Sequence, residues 1–266
     1  MGVGIISAIA AAAFLLPVIF GINGKLTTPE SSQCYRGKLY ISNIGGLPPD
    51  KKDGDGYILL ADLKGNVIKR KFITGLNAPK GITFAKGKLF VADIDTVVVA
   101  DPETGKILKK IPIPGAKFLN DIAFDGKRTV YVTDTQTNSI YTIDTENFKV
   151  SLYLKDSRLQ GPNGIAFLPD GKILIASWGG GKLLLLDGKD IKVIASGFET
   201  LDGVVALEDG TILFSDFSAG KVYELKGGKL KEIYKGFSPA DIGYCNGILF
   251  IPEFMVNSVK AVRVKK

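Results

Sequence analysis

One phrase, repeated along the chain, limits its fold more than any other feature. Gly161-Pro162-Asn163-Gly164-Ile165-Ala166-Phe167 is followed by a short apolar run over residues 172–176, a Gly-rich turn, and a second run from Lys182. The phrase returns as Ala78-Pro79-Lys80-Gly81-Ile82-Thr83-Phe84 and as Phe118-Leu119-Asn120-Asp121-Ile122-Ala123-Phe124. It returns again as Thr200-Leu201-Asp202-Gly203-Val204-Val205-Ala206 and as Ser238-Pro239-Ala240-Asp241-Ile242-Gly243-Tyr244. Setting Gly37-Lys38-Leu39-Tyr40-Ile41 on Gly247-Ile248-Leu249-Phe250-Ile251 brings Pro29-Glu30-Ser31-Ser32 onto Pro239-Ala240-Asp241-Ile242, which makes a sixth copy. A unit of about 40 residues with four short strands cannot bury its own apolar face, and closing such units into a ring hides it. The expected fold is therefore all-β: a six-bladed β-propeller of four-stranded blades, its ring closed by the N- and C-terminal segments.

The third residue of the phrase is Glu30, Lys80, Asn120, Asn163, Asp202 and Ala240 around the ring. Each stands at the start of an innermost strand, so all six are predicted to face the central axis.

Composition narrows the chemistry that such an axis can do. The chain has no histidine, which removes Ser-His-Asp triads, Cys-His pairs, His-ligated zinc and any imidazole base. Carboxylates, amides, lysines, tyrosines or an oxygen-bound cation remain, and oxygen ligands suit calcium, magnesium or manganese. The net charge of +7 comes mainly from lysines spread along the chain, with no run long enough to track a phosphate backbone. No nucleic-acid partner is expected; the balance mildly favours anionic small molecules.

The 266 residues divide into an N-terminal segment, 1–24, and a propeller, 25–266, expected to be a monomer. Residues 3–20 are apolar and uncharged, with four consecutive alanines, Pro17, and small residues at Gly21 and Gly24 beyond. This pattern fits an export signal and a periplasmic or extracellular protein. No Lys or Arg precedes the run, and a retained anchor is the rival, since about 18 apolar residues can just span a bilayer. Membrane contact is expected only in that case. Cys34 lies in the innermost strand of blade one and Cys245 in that of blade six, offset by one residue so that they sit on facing sides of neighbouring blades. They would form a disulfide tying the chain's ends, or remain two buried thiols.

Residues 44–56 make an unusually long connection in blade one, on the face where the innermost strands begin, and so are expected to overhang Glu30. Asp53-Gly54-Asp55-Gly56 within it reads as a polar turn, because an EF-hand loop needs Glu where Lys64 stands. Asn43, Asp93, Asp134, Ser177, Asp216 and Glu253 end the second strands and are expected to bind the neighbouring loops. The segments just beyond, including Trp178, should ring the mouth. Gly179-Gly180-Gly181 carries no nucleotide reading, because no helix follows it.

Glu30, Asn120, Asn163 and Asp202 bring oxygens from four strand starts to one axis, enough to hold one hard cation with positions left for water or substrate. Lys80 enters the same ring and would repel that cation unless its stem carries the ammonium to the rim.

These phrases resemble the regucalcin/gluconolactonase family of six-bladed propellers, and more distantly the paraoxonase and strictosidine-synthase-like propellers. The resemblance is carried by Pro29-Glu30, residues 118–124 with Val130-Tyr131-Val132-Thr133-Asp134, residues 162–167 and Leu201-Asp202-Gly203, and it covers about residues 29–264. It implies a divalent cation, calcium foremost with magnesium, manganese or zinc as alternatives, held by Glu30, Asn163 and Asp202. It implies too that Asn120 contacts metal-bound water or substrate and that the activity is lactone hydrolysis, with Asp202 as ligand and candidate base. Where gluconolactonases commonly carry an Arg two residues before the residue matching Asn120, this chain has Phe118 beside Lys117, and Glu30-Ser31-Ser32 replaces the usual Glu-Gly-Pro.

The resulting expectation is an exported metal-dependent hydrolase of a lactone or ester. Asp202 and Asn120 would be catalytic, with Asn120 steadying the developing oxyanion, and Asn120, Lys80, Phe118 and Trp178 would contact substrate. The alternative is a non-catalytic repeat-type propeller that serves as a binding or scaffold protein.

Overall fold

The computed structural model describes residues 5–7 and 12–264, which form six antiparallel blades around a central axis. From axis to rim, blade one is Pro29–Tyr35, Lys38–Asn43, Gly56–Asp62 and Val67–Leu76; blade two is Pro79–Ala85, Lys88–Asp93, Thr96–Ala100 and Ile107–Pro112. Blade three is Leu119–Phe124, Thr129–Asp134, Ser139–Asp144 and Val150–Lys155; blade four is Pro162–Phe167, Ile173–Ser177, Lys182–Asp187 and Asp190–Ser196. Blade five is Leu201–Ala206, Ile212–Asp216, Lys221–Lys226 and Lys229–Lys235. Blade six draws Gly243–Cys245, Ile248–Glu253 and Ser258–Arg263 from the C-terminal end of the chain and its outermost strand, Val18–Asn23, from the N-terminal end. Every blade thus has the four strands that the repeat predicts.

The closing strand shifts the expected boundary. Val18–Asn23 falls inside the segment assigned to a leader, yet it pairs antiparallel with Ser258–Arg263, from Ser258 opposite Asn23 to Val262 opposite Val18. The propeller sheet therefore begins at Val18, not at residue 25. Upstream, Ile6–Ser7 adds a short parallel strand to the rim of blade four and Ala12–Ala13 does the same on blade five. Residues 1–4 and 8–11, which include part of the expected leader, lie outside the described residues. Among the described residues no helix is long and apolar enough to cross a membrane.

The core lies between blades. Ala92 and Val97 of blade two meet Leu119, Val130 and Val132 of blade three, while Leu174 and Leu183 of blade four meet Phe214 and Tyr223 of blade five. Alternation along each strand sends one side chain to each neighbouring blade, which is why the second strands read as continuous apolar runs. Where blade six meets blade one, Cys34 and Cys245 are joined in a disulfide with their Cα atoms 6.2 Å apart, a spacing that a disulfide spans.

Candidate functional site

In five blades the pairing of the innermost strand with the second strand shifts over the same two residues: 30–31, 80–81, 120–121, 163–164 and 202–203. Released from the ladder, the first of each pair turns its side chain into a cavity on the axis. The residue after it determines how closely the strands converge. A Cβ on Gly164 would lie 2.3 Å from the Asp202 carbonyl oxygen, and one on Gly203 would lie 2.5 Å from the Ile242 nitrogen. The repeated glycine is therefore a close-packing residue between innermost strands.

The polar residues ending the second strands hold the approach to each axial position. Asp93 accepts from the Ala78 amide at 2.8 Å, Asp134 from Lys117 at 2.7 Å, Asp216 from Glu199 at 2.9 Å and Glu253 from Phe237 at 2.9 Å. Asn43 accepts from Thr27 at 3.0 Å, and Ser177 donates to the Leu159 carbonyl at 2.8 Å. Their role is structural, as their place at strand ends predicts.

Glu30, Lys80, Asn120, Asn163 and Asp202 line one cavity of about 400 Å³. Ala240, the sixth axial residue, is fully buried and does not line it. Four of the five leave a buried side-chain oxygen without any hydrogen-bond partner: Glu30 Oε2, Asn120 Oδ1, Asn163 Oδ1 and Asp202 Oδ1. One such oxygen costs about 1–3 kcal/mol of uncompensated desolvation, so four at one level of one cavity call for a ligand. A hard cation fits that donor set. Among the described residues no three His, Cys, Asp or Glu side chains group around a metal position; here two of the four donors are amides.

The orientation of the Asn120 amide follows from its neighbour. Thr135 Oγ1 lies 2.9 Å from the Pro162 carbonyl, which can only accept, so the single hydroxyl proton points there. Thr135 must then accept from Asn120, whose Nδ2 lies 3.1 Å away, and Asn120 Oδ1 is left facing the cavity. Asn120 thus presents an acceptor to the axis, where steadying an oxyanion would need a donor.

Burial governs the charges. Glu30 is pushed well above the ordinary carboxylate range, first by burial and then by the nearby Asp202 and Asp241 carboxylates. Asp202 rises too, by burial and Asp241, with a hydrogen bond from the Asn163 side chain pulling the other way. Burial lowers Lys80 to about 8, opposed by the attraction of Glu30. Its ammonium has swung off the axis: Nζ donates to the Pro49 carbonyl at 2.8 Å and the Ala78 carbonyl at 3.2 Å and stands 4.2 Å from the Phe118 ring centre. Two of its three protons are engaged there, and one remains.

The Pro49 carbonyl belongs to the connection over residues 44–56, which overhangs the cavity as its length predicts and contributes Ile44 and Pro49 to the wall. Asp55 accepts from the Gly46 amide at 2.8 Å, so Asp53-Gly54-Asp55-Gly56 is a turn. The Lys52–Asp95 ion pair ties the connection to blade two.

Phe118 and Trp178 both line the cavity, as does Phe254 from the segment expected at the mouth, and Phe217, which the sequence did not single out, joins them. A usable signal existed. The residue immediately after each strand-ending polar group is Ile44, Ile94, Thr135, Trp178, Phe217 and Phe254. This is a second sixfold register outside the axial one.

Two carboxylates also went unread. Asp121 and Asp241 follow axial positions, where three other blades have glycine, and they line a separate cavity of about 250 Å³ on the axis. Asp121 accepts from the Ile122 and Ile165 amides at 2.7 and 2.8 Å, and Asp241 from the Ser31 hydroxyl. Burial pushes Asp241 up to about 7 and Asp121 well above its ordinary value.

No protein-family model matches the chain, and no curated protein matches it either. Among solved structures it is similar to a streptogramin B lyase, at a TM-score of 0.66 and 15% identity over 92% of this chain and 97% of the other. It is similar to a protein of unknown function from Bacteroides thetaiotaomicron, at a TM-score of 0.72 and 13% identity over 98% of this chain and 75% of the other. A chain of a nidogen/laminin complex aligns at a TM-score of 0.69 and 16% identity over 89% and 88%. At such identities the likeness establishes the propeller fold, which enzymes and non-enzymes share.

Proposed function

We propose that the chain is a divalent-metal-dependent hydrolase of lactones or esters, of the regucalcin/gluconolactonase kind, with the cation held by Glu30, Asn163 and Asp202. The supporting observation is the set of four unpartnered buried oxygens facing one cavity. Calcium takes about six to eight oxygens at about 2.3–2.6 Å, so these four leave positions open to water and substrate. With neither nitrogen nor sulfur among the donors, zinc suits the site least. When bound, such a cation polarises a substrate carbonyl and acidifies a neighbouring water.

The chain's own residues divide the remaining work. The Asp202 carboxylate would take the proton of the attacking water as its oxygen bonds the carbonyl carbon, and return that proton to the leaving alkoxide as the acyl C–O bond breaks. Asn120, its amide tied to Thr135, adds a fourth oxygen to the axial set. The unengaged N–H of Lys80 supplies a cationic donor to the carbonyl oxygen as charge builds on it. The 44–56 connection and the aromatic wall narrow the mouth and limit water around the reacting bond. The Cys34–Cys245 disulfide suits an oxidising compartment, consistent with export.

The test is metal content and turnover measured together on the full chain and its Asp202→Ala variant, against aldonolactones, alkyl lactones and aryl esters. The expected result is about one divalent ion per chain with hydrolysis of a panel member, both lost in the variant. An ion without turnover favours the binding propeller, and no ion at all removes the hydrolase reading.

A further inference from the structure

We infer that the cavity selects substrates with an apolar alkyl or aryl portion and rejects polyhydroxylated lactones. This rests on the hydrolase reading for the fate of the ligand, but the recognition argument stands on the wall alone. Trp178, Phe217 and Phe254 form a continuous aromatic arc over blades four to six, their ring centres 5.2 and 5.6 Å apart. Phe254 packs against the cluster of Ile44, Ala78 and Ile94, and Ile44 lines the cavity with Pro49 of blade one. Phe118 faces in from blade three under the Lys80 ammonium.

Hydrogen-bonding capacity on this wall is small. The Thr135 hydroxyl is engaged by Pro162 and Asn120, and Lys80 keeps one proton after Pro49 and Ala78. Gln136, exposed at the rim, and the Trp178 indole N–H are the other hydrogen-bonding side-chain groups of the lining outside the axial set. A sugar lactone would bring several hydroxyls into this space and leave most of them without partners, each at a cost of about tenfold or more in affinity. Each methylene buried against the arc instead gains about fourfold. A volume of about 400 Å³ accommodates a lactone or ester head on the axis and one alkyl or aryl group against the arc.

Trp178 is the chain's only tryptophan, so intrinsic fluorescence reports on this wall whether or not a bond is cleaved. The experiment titrates the full, calcium-loaded chain with a homologous series of alkyl-substituted lactams, which resist hydrolysis, and with a polyhydroxylated lactam. The matching lactones are assayed for turnover in parallel. Expected are dissociation constants that fall about fourfold per added methylene until the cavity is full, and no saturable signal from the polyol. Phe217→Ser, at a half-buried position, should weaken the alkyl series about tenfold while leaving the calcium-dependent rise in melting temperature unchanged. Chain-length-independent binding, tighter binding of the polyol, or no effect of Phe217→Ser would overturn the inference. Chain-length-dependent fluorescence without hydrolysis upholds the apolar site and removes the enzyme. Hydrolysis that favours the polyol lactone keeps the enzyme and removes the apolar site.

Discussion

Thr135 shows how one hydroxyl decides what an axial residue can do. It gives its proton to Pro162, so Asn120 must turn its amide nitrogen outward and its oxygen inward. Thr135→Val keeps the shape of the side chain and removes this constraint. Calcium affinity should weaken about tenfold with little loss of fold, and Thr135→Ser should restore it; titration calorimetry on the three proteins checks this. The axial carboxyls carry a second prediction. Glu30 and Asp202 are raised by burial and by neighbouring carboxylates, so the cation-free folded chain keeps protons that the unfolded chain releases above about pH 4. Cation-free stability therefore falls as pH rises above that value, and calcium must displace the same protons. The calcium-induced gain in melting temperature should be larger at about pH 7.5 than at about pH 5, measured by paired melts with calcium and chelator. Glu30, Asn163 and Asp202 could be read from the sequence because they occupy one register of a repeat. The direction of the Asn120 amide could not, since it depends on a hydroxyl 15 residues away in the turn after the second strand.

The innermost strand is the element that turns the repeat into a site. Its shifted pairing over two residues frees the axial side chain, and the following glycine lets the next strand approach. Gly164→Ala should force the strands of blades four and five apart at the Asp202 carbonyl. The expected cost is about 1–3 kcal/mol, seen as a melting temperature lower by several degrees and as weaker calcium binding, because Asp202 moves with its strand. The Pro-x-Gly-Ile wording made these strands legible. Phe254 lies in a segment that the repeat already put at the mouth, whereas Phe217 was harder to find because a lone aromatic after a second strand fits core packing equally well. The feature that separates the two roles is position, one residue past the strand-ending carboxylates Asp216 and Glu253.

Ring closure involves both ends of the chain twice, through the Val18–Asn23 strand at the rim and the Cys34–Cys245 disulfide near the axis. The disulfide spans 211 residues, and its loop-closure contribution is about 5 kcal/mol on the chain-entropy model. A chain beginning at residue 25 loses the rim strand, exposes the edge of Ser258–Arg263 and uncovers Phe250, against which Phe20 packs. Such a chain should melt well below one beginning at Pro17, or aggregate, in a direct comparison by calorimetry. Six blades and four strands per blade were legible in the repeat. Closure by an N-terminal segment was legible too, but its place at Val18–Asn23 was not, because Val18-Ile19-Phe20 continues the apolar composition of the residues before it, and composition alone does not separate a rim strand from a leader.

The four unpartnered axial oxygens are proposed to hold one cation. Calcium titration of the full chain beside its Glu30→Gln and Asp202→Asn variants tests this most directly, since both changes keep volume and remove one charge. One site per chain is predicted, with affinity reduced at least about tenfold in each variant. No saturable binding, or binding that both variants retain unchanged, would contradict it.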